Sequence, residues 1–123
     1  MVKNQFTLNG PVWKRPGLAE SHLAKRIKRK HVPPDWTMQE YDGKIRQLIT
    51  DPSSQVYRYR QEGFEQDYYV FGDGDKWIAI LGQDGIMETA FPLDKPSDYR
   101  NYLTIDKGNT YMGTVKEVEE GAD

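Results

Sequence analysis

The 123-residue chain contains no cysteine, which excludes disulfide bridges and thiolate metal sites. No apolar run approaches the length of a signal-peptide core or a membrane span, so no membrane-crossing segment is expected. Aliphatic residues are sparse while aromatics make up 12% of the chain, which assigns much of the core to Tyr and Trp. Histidine is limited to His22 and His31. With so few nitrogen ligands, and with Asp73 and Asp75 placed where a hairpin turn would use them, neither a metal nor any other cofactor is expected. There is no internal repeat and no low-complexity segment.

Acid is scarce in one place only. Residues 1–31 hold 8 of the 17 Lys and Arg but a single acid, net +7, while the remaining 92 residues hold 9 bases and 18 acids, net −9. Both histidines fall inside the basic run Ser21-His-Leu-Ala-Lys-Arg-Ile-Lys-Arg-Lys-His31, so the only side chains that titrate near neutrality lie in a concentrated positive field. Phosphate chemistry suits that combination. A basic patch on an acidic body fits a short contact with nucleic acid better than the coating of long duplexes.

The length predicts one domain with one core. Residues 1–17 read as an N-terminal extension or linker, with Trp13-Lys-Arg-Pro-Gly17 as a loop. From Leu18 to about Lys30 the stripe Leu23, Ala24, Ile27 predicts a helix, stopped by Pro33-Pro34. Thr37-x-x-Glu40 is a capping-box signature, and Met38, Tyr41, Ile45, Leu48 and Ile49 follow at helical spacing to Asp51-Pro52. The period then becomes alternating. Strands are expected at 55–61, 68–71, 76–81 and 86–91, with turns at Gly72-Asp-Gly-Asp75 and Asp84-Gly85. The fold class is therefore α+β, two N-terminal helices packed on a four-stranded antiparallel sheet over residues 18–115. Residues 116–123 read as a frayed acidic tail.

Helix geometry puts His22, Lys25, Arg26 and Arg29 on one positive edge beside the buried stripe. His31 lies nine residues on, half a turn away in an unbroken helix. The two imidazoles can meet one phosphate only if the helix ends or bends near Lys30, as Val32-Pro33-Pro34 favours. Each feature has a plainer reading. A basic helix face is commonly a solvated surface, His31 fits a histidine at helix-terminal carbonyls equally well, the tyrosine pairs fit cross-strand packing, and Thr89 fits an ordinary strand residue.

Taken together in chain order, the elements are a His-containing basic helix, a helix ending at Asp51-Pro52, then Val56-Tyr-Arg-Tyr-Arg60, Asp67-Tyr-Tyr-Val-Phe71, Trp77-Ile-Ala-Ile-Leu81 and Asp84-Gly-Ile-Met-Glu-Thr-Ala-Phe-Pro92. This order resembles the metal-independent RNase superfamily, often called the BECR fold, that unites barnase, colicin-type tRNA nucleases and ribosome-dependent mRNA toxins. The likeness spans residues 18–102 and is nearest to the C-terminal tRNase toxin domains of contact-dependent growth inhibition and other polymorphic toxin systems. Where many relatives carry a second histidine four residues after the first, this chain has Arg26.

The resemblance implies an endoribonuclease in which the ribose 2′-OH attacks the adjacent phosphorus to leave a 2′,3′-cyclic phosphate. A base, an acid and cations are needed for that step. DNA lacks the nucleophile and would not be cut. His22 is the expected general base or acid, with His31 as the second-choice acid. Arg58 and Arg60, on one strand face, would clamp the phosphate opposite Lys25 or Arg26, with Arg29 also on the RNA side. Thr89 would hydrogen-bond the phosphate or the 2′-OH. Tyr68 or Tyr69, with Tyr99 and Tyr102, would stack bases or donate a phenolic proton.

The same resemblance implies a tRNA substrate, cut most naturally in its anticodon loop, and an acidic cognate immunity protein covering the basic face. It also implies secretion as the C-terminal part of a larger bacterial toxin with delivery to the target-cell cytoplasm, and it admits a host activating factor. Two other classes fit the composition: a non-catalytic nucleic-acid-binding module, which would show salt-sensitive binding of intact nucleic acid, and an immunity or antitoxin protein, harmless when expressed alone.

Overall fold

The computed structural model describes residues 12, 13, 15, 17–59, 67–102 and 110–120. The elements run β1 (Val12–Trp13), α1 (Leu18–Lys28), α2 (Met38–Thr50), β2 (Gln55–Tyr59), β3 (Tyr68–Gly72), β4 (Trp77–Gly82), β5 (Ile86–Pro92), α3 (Pro96–Asn101), β6 (Thr110–Thr114) and α4 (Val115–Glu120). The α+β class with two leading helices is as expected. The sheet is wider than expected: six strands in the order β1-β5-β4-β3-β2-β6 among the described residues. β2 to β5 form the antiparallel meander, β6 adds antiparallel to β2, and β1 pairs with β5 in parallel through two residues only.

The alternation in the strands builds two apolar layers. On one face Val56, Phe71, Ala79, Leu81, Met87 and Ala90 pack against Leu23 of α1, against Tyr41, Ile45, Leu48 and Ile49 of α2, and against Val115 at the start of α4. On the other, Tyr57, Val70, Ile78 and Ile80 pack against Tyr99 of α3. The run Trp77-Ile-Ala-Ile-Leu81 is buried residue by residue because β4 is central and covered on both faces. The Thr37/Glu40 capping box forms, the Glu40 carboxylate accepting from the Thr37 N–H and hydroxyl. Asp73 Oδ1 accepts the N–H groups of Asp75, Lys76 and Trp77, which fits the hairpin-turn role expected of it.

Several boundaries depart from the sequence reading. Val12 and Trp13 belong to the sheet although residues 1–17 were expected outside the domain, and Trp13 packs on the core. Residues 116–120, expected in a frayed tail, continue the helix that starts at Val115, with Val118 against the same core. In α1 the third stripe position is Ala19, not Ala24, which is exposed. Positions 19, 23 and 27 are one turn apart, whereas 24 is rotated about 100° from 23.

The end of α1 determines where His31 goes. The Lys30 N–H donates to the Ile27 carbonyl and the His31 N–H to the Arg26 carbonyl, 3.0 and 2.9 Å, which is the Schellman pattern. It requires a left-handed residue at Lys30, whose φ is 61°, a conformation that side chains other than glycine's disfavour by about 1–2 kcal/mol. Lys30→Gly is expected to stabilise the fold by about 0.5–1 kcal/mol, relief of that strain offset partly by glycine's extra unfolded-state entropy. A higher urea midpoint at unchanged m-value checks it.

Candidate active site

The turn that ends α1 folds His31 back beside Arg26. In most Schellman motifs these two positions make an apolar contact; here Arg26 Nη1 lies 3.5 Å from His31 Nδ1. The bend required for both imidazoles to serve one centre is therefore present. α1 runs beside the part of β5 that β1 leaves unpaired, since β1 reaches only Ile86 and Met87. Helix and strand climb in step, four helical residues covering about 6 Å and two strand residues about 6.6 Å. His22 meets Thr89, and Arg26, four residues on, meets Phe91 two residues on.

A bulge aims Thr89. Ile80 pairs with Thr89 and Leu81 with Met87, leaving Glu88 as the extra residue of β5. The resulting twist carries the threonine hydroxyl to the helix. Thr89 Oγ1 lies 3.1 Å from His22 Nδ1, so its partner is the catalytic candidate itself, where a phosphate or 2′-OH was expected. The Trp13 ring lies against His22, centroids 5.0 Å apart. Burial, followed by the charges of Lys25 and Arg26, lowers the His22 pKa below its ordinary value. His31 is also lowered, first by burial and then by Arg26, while Asp94, 4.0 Å from His31 Nε2, pulls it back up.

Arg26 is the residue whose placement the sequence reading missed. The sequence places it on one positive edge beside the buried stripe with Lys25 and Arg29, which are exposed, but it is only 4% exposed. Its guanidinium stacks over Phe91 at 5.3 Å, its Nε has no hydrogen-bond partner, and among the described residues no carboxylate pairs with it. A cation–π contact returns about 0.5–2 kcal/mol, whereas burying a charge costs several kcal/mol. The balance is unfavourable unless an anion completes the site.

The remaining candidates divide clearly. Arg29, His31 and Tyr102 line one cleft of about 620 Å³ together with Phe91, Asp94 and Asp98. Arg58 does not belong to it. It sits on β2, three strands from β5 or about 14 Å at normal strand spacing, on the face of Val56 and Tyr69, and pairs with Asp67 at 3.8 Å. Its clamp role fails because β3 and β4 intervene. Tyr68 shares a face with Ile80 but is two strands and two residues from Thr89, about 12 Å.

Tyr99 is structural: its hydroxyl donates to Gln55 Oε1 at 2.9 Å and accepts from the Gly74 N–H at 2.8 Å. Burial raises its pKa, and a Cβ at Gly72 would lie 2.1 Å from its oxygen. Arg60 lies outside the described residues. Tyr41, whose hydroxyl donates to the Ala90 carbonyl at 2.7 Å and whose burial pushes its pKa to about 12, stacks on Trp13 and pins α2 to the site strand. Trp13, Phe91 and Asp94 had no sequence signal as site residues, since each reads as core or turn.

Among the described residues no three His, Asp or Glu side chains converge as a metal site, and no helix is long and apolar enough to cross a membrane. No protein-family model, curated protein or solved structure matches the chain.

Proposed function

We propose that the chain is a metal-independent endoribonuclease of BECR type whose centre is His22, Arg26, His31 and Thr89. The observation that carries the reading is a buried guanidinium with no carboxylate partner among the described residues, beside His31 and one helical turn from His22. A scissile phosphate supplies the missing negative charge, and Arg26 stabilises the further charge that develops on the phosphorane. With Nδ1–H donating to Thr89, His22 presents the Nε2 lone pair to the 2′-OH as general base. His31, whose lowering by burial and Arg26 is partly offset by Asp94, protonates the departing 5′ oxygen. Lys25 and Arg29 add cationic contacts for flanking phosphates.

The biological context proposed is that of a toxin domain. The substrate is tRNA, cut in its anticodon loop. The chain is released from a larger secreted bacterial protein into the cytoplasm of a target cell, and its producer is protected by a cognate immunity protein. Incubation of the purified protein with total tRNA in EDTA tests the activity: discrete fragments support it, and a requirement for magnesium contradicts it.

The lowered imidazole pKa values give the pH dependence a sign. The acid limb of kcat/KM follows protonation of the base and the alkaline limb follows deprotonation of the acid. Both groups lie below 6.5, so the bell is displaced downward. The kcat/KM maximum is expected below pH 6.5, with activity falling toward pH 8. A maximum at or above pH 7.5 would remove the two histidines from these roles.

A further inference from the structure

We propose that Trp13 is a positioning residue for His22: the indole holds the plane of the imidazole while Thr89 holds one of its nitrogens, so that Nε2 stays turned to the 2′-hydroxyl. The identity of the reacting hydroxyl rests on the ribonuclease reading. The hold on the ring does not, because it is a contact within the chain.

One hydrogen bond leaves a histidine ring loosely defined. Rotation about its Cβ–Cγ bond is broad and roughly two-fold, and the Thr89 hydroxyl fixes only Nδ1, at 3.1 Å. A second contact is needed to set the plane. Trp13 supplies it, ring centroids 5.0 Å apart and planes tilted by 40°, within the separation at which aromatic pairs attract.

The fold delivers the indole to this contact. Trp13 pairs with Met87 in the register of β1 on β5 and packs on the core between sheet and leading helices. Tyr41 stacks on the indole at 6.3 Å and 29°, and its hydroxyl is anchored on the Ala90 carbonyl. The support of Trp13 and the hydroxyl that meets His22 therefore come from neighbouring residues of β5. Trp13 Nε1 is buried with no hydrogen-bond partner among the described residues, a cost that a phenylalanine filling the same space would not carry. What the larger ring adds is face area against two neighbours, His22 and Tyr41.

The same contact keeps water from the imidazole. Burial is the first cause of the lowered His22 pKa, ahead of Lys25 and Arg26 on its own helix. Lys25 and Arg26 are the charges that act on the ring. β5 brings Thr89, next to the exposed Glu88, and β1 brings Trp13. α2 brings Tyr41 against the indole, neutral near pH 7 because burial pushes its pKa to about 12. Loss of the indole therefore acts through hydration, which makes His22 easier to protonate and moves the acid limb of kcat/KM to higher pH.

Nitrogen-15 NMR of the histidine rings in the full chain tests this, with Trp13→Leu and Trp13→Phe beside the unaltered protein. In the unaltered chain the neutral His22 ring is expected in one form, Nδ1–H, its carbon-bound protons shifted upfield by the indole. Trp13→Leu, apolar but without a ring, should give a mixture of tautomers, a His22 titration at higher pH, and kcat/KM on RNA lower by about 10- to 10²-fold, the scale of a misplaced catalytic group. The loss should fall on kcat with KM little changed. Trp13→Phe, which keeps an aromatic face, should restore the single tautomer and most of the rate.

An Nε2–H tautomer or unshifted ring protons in the unaltered chain would overturn the proposal, and that measurement decides even if Trp13→Leu does not fold. A single tautomer with an unmoved pH profile in folded Trp13→Leu would overturn it as well. A chain that holds His22 in this way but cuts no RNA would keep the positioning and remove the ribonuclease. Full-rate cleavage by Trp13→Leu would do the reverse.

Discussion

His22→Ala is expected to lower kcat/KM on RNA by about 10²–10⁴-fold, the worth of one positioned acid or base. The far-UV circular dichroism and melting temperature should stay near those of the unaltered chain. The substitution removes one hydrogen bond, to Thr89, worth about 0.5–1.5 kcal/mol, from a half-buried position at the sheet edge. Thr89→Val keeps the strand shape and deletes only the group that orients the ring. A smaller loss is expected, with the acid limb of the pH profile displaced, because the hydroxyl acts through His22 and not on substrate. Equal activity in His22→Ala would place the chemistry elsewhere on the molecule.

Arg26→Met separates two uses of one cation. As a stabiliser of developing phosphorane charge, the guanidinium is worth about 10²–10³-fold in rate, by analogy with loss of one oxyanion donor. As a buried charge with no carboxylate partner among the described residues, it weakens the fold by itself. The methionine variant, similar in length and able to pack on Phe91, is therefore expected to lose activity and to melt no lower than the unaltered chain in a buffer without oxyanions.

Phosphate or sulfate should raise the melting temperature of the unaltered chain with increasing concentration, as a ligand that binds only the native state must, and should leave Arg26→Met unmoved. Breaking a pre-existing buried ion pair destabilises by about 3–5 kcal/mol. A loss of that size would mean that Arg26 already has its counter-ion within the protein.

Much of this was readable in the sequence, for physical reasons that differ by element. The four meander strands and the two leading helices follow from apolar period and turn residues, which are local signals. The capping box at Thr37 and Glu40 is local as well. β1 was hidden because a two-residue strand carries no period, and β6 because Thr110–Thr114 holds a glycine and only exposed aromatic and thioether side chains at Tyr111 and Met112. The pairing of His22 with Thr89, though expected in kind, depends on a bulge at Glu88, and nothing in the strand's composition marks which residue is extra.

Arg26 shows the limit most clearly. A helical wheel places it on the basic edge, and only tertiary packing against Phe91 turns it inward. Arg58 fails in the opposite way: the strand alternation was right about its face, and the strand order then put that face three strands from the imidazoles.

An RNA 2′-hydroxyl is the expected nucleophile at the His22 and Arg26 centre. Mass spectrometry of the 3′ ends left when the purified protein cuts tRNA in EDTA answers that directly. The expected ends carry 2′,3′-cyclic phosphate, and a 2′-O-methyl group at the cleaved nucleotide should block the cut. Ends bearing a free 3′-hydroxyl, or undiminished cutting of the methylated RNA, would contradict it.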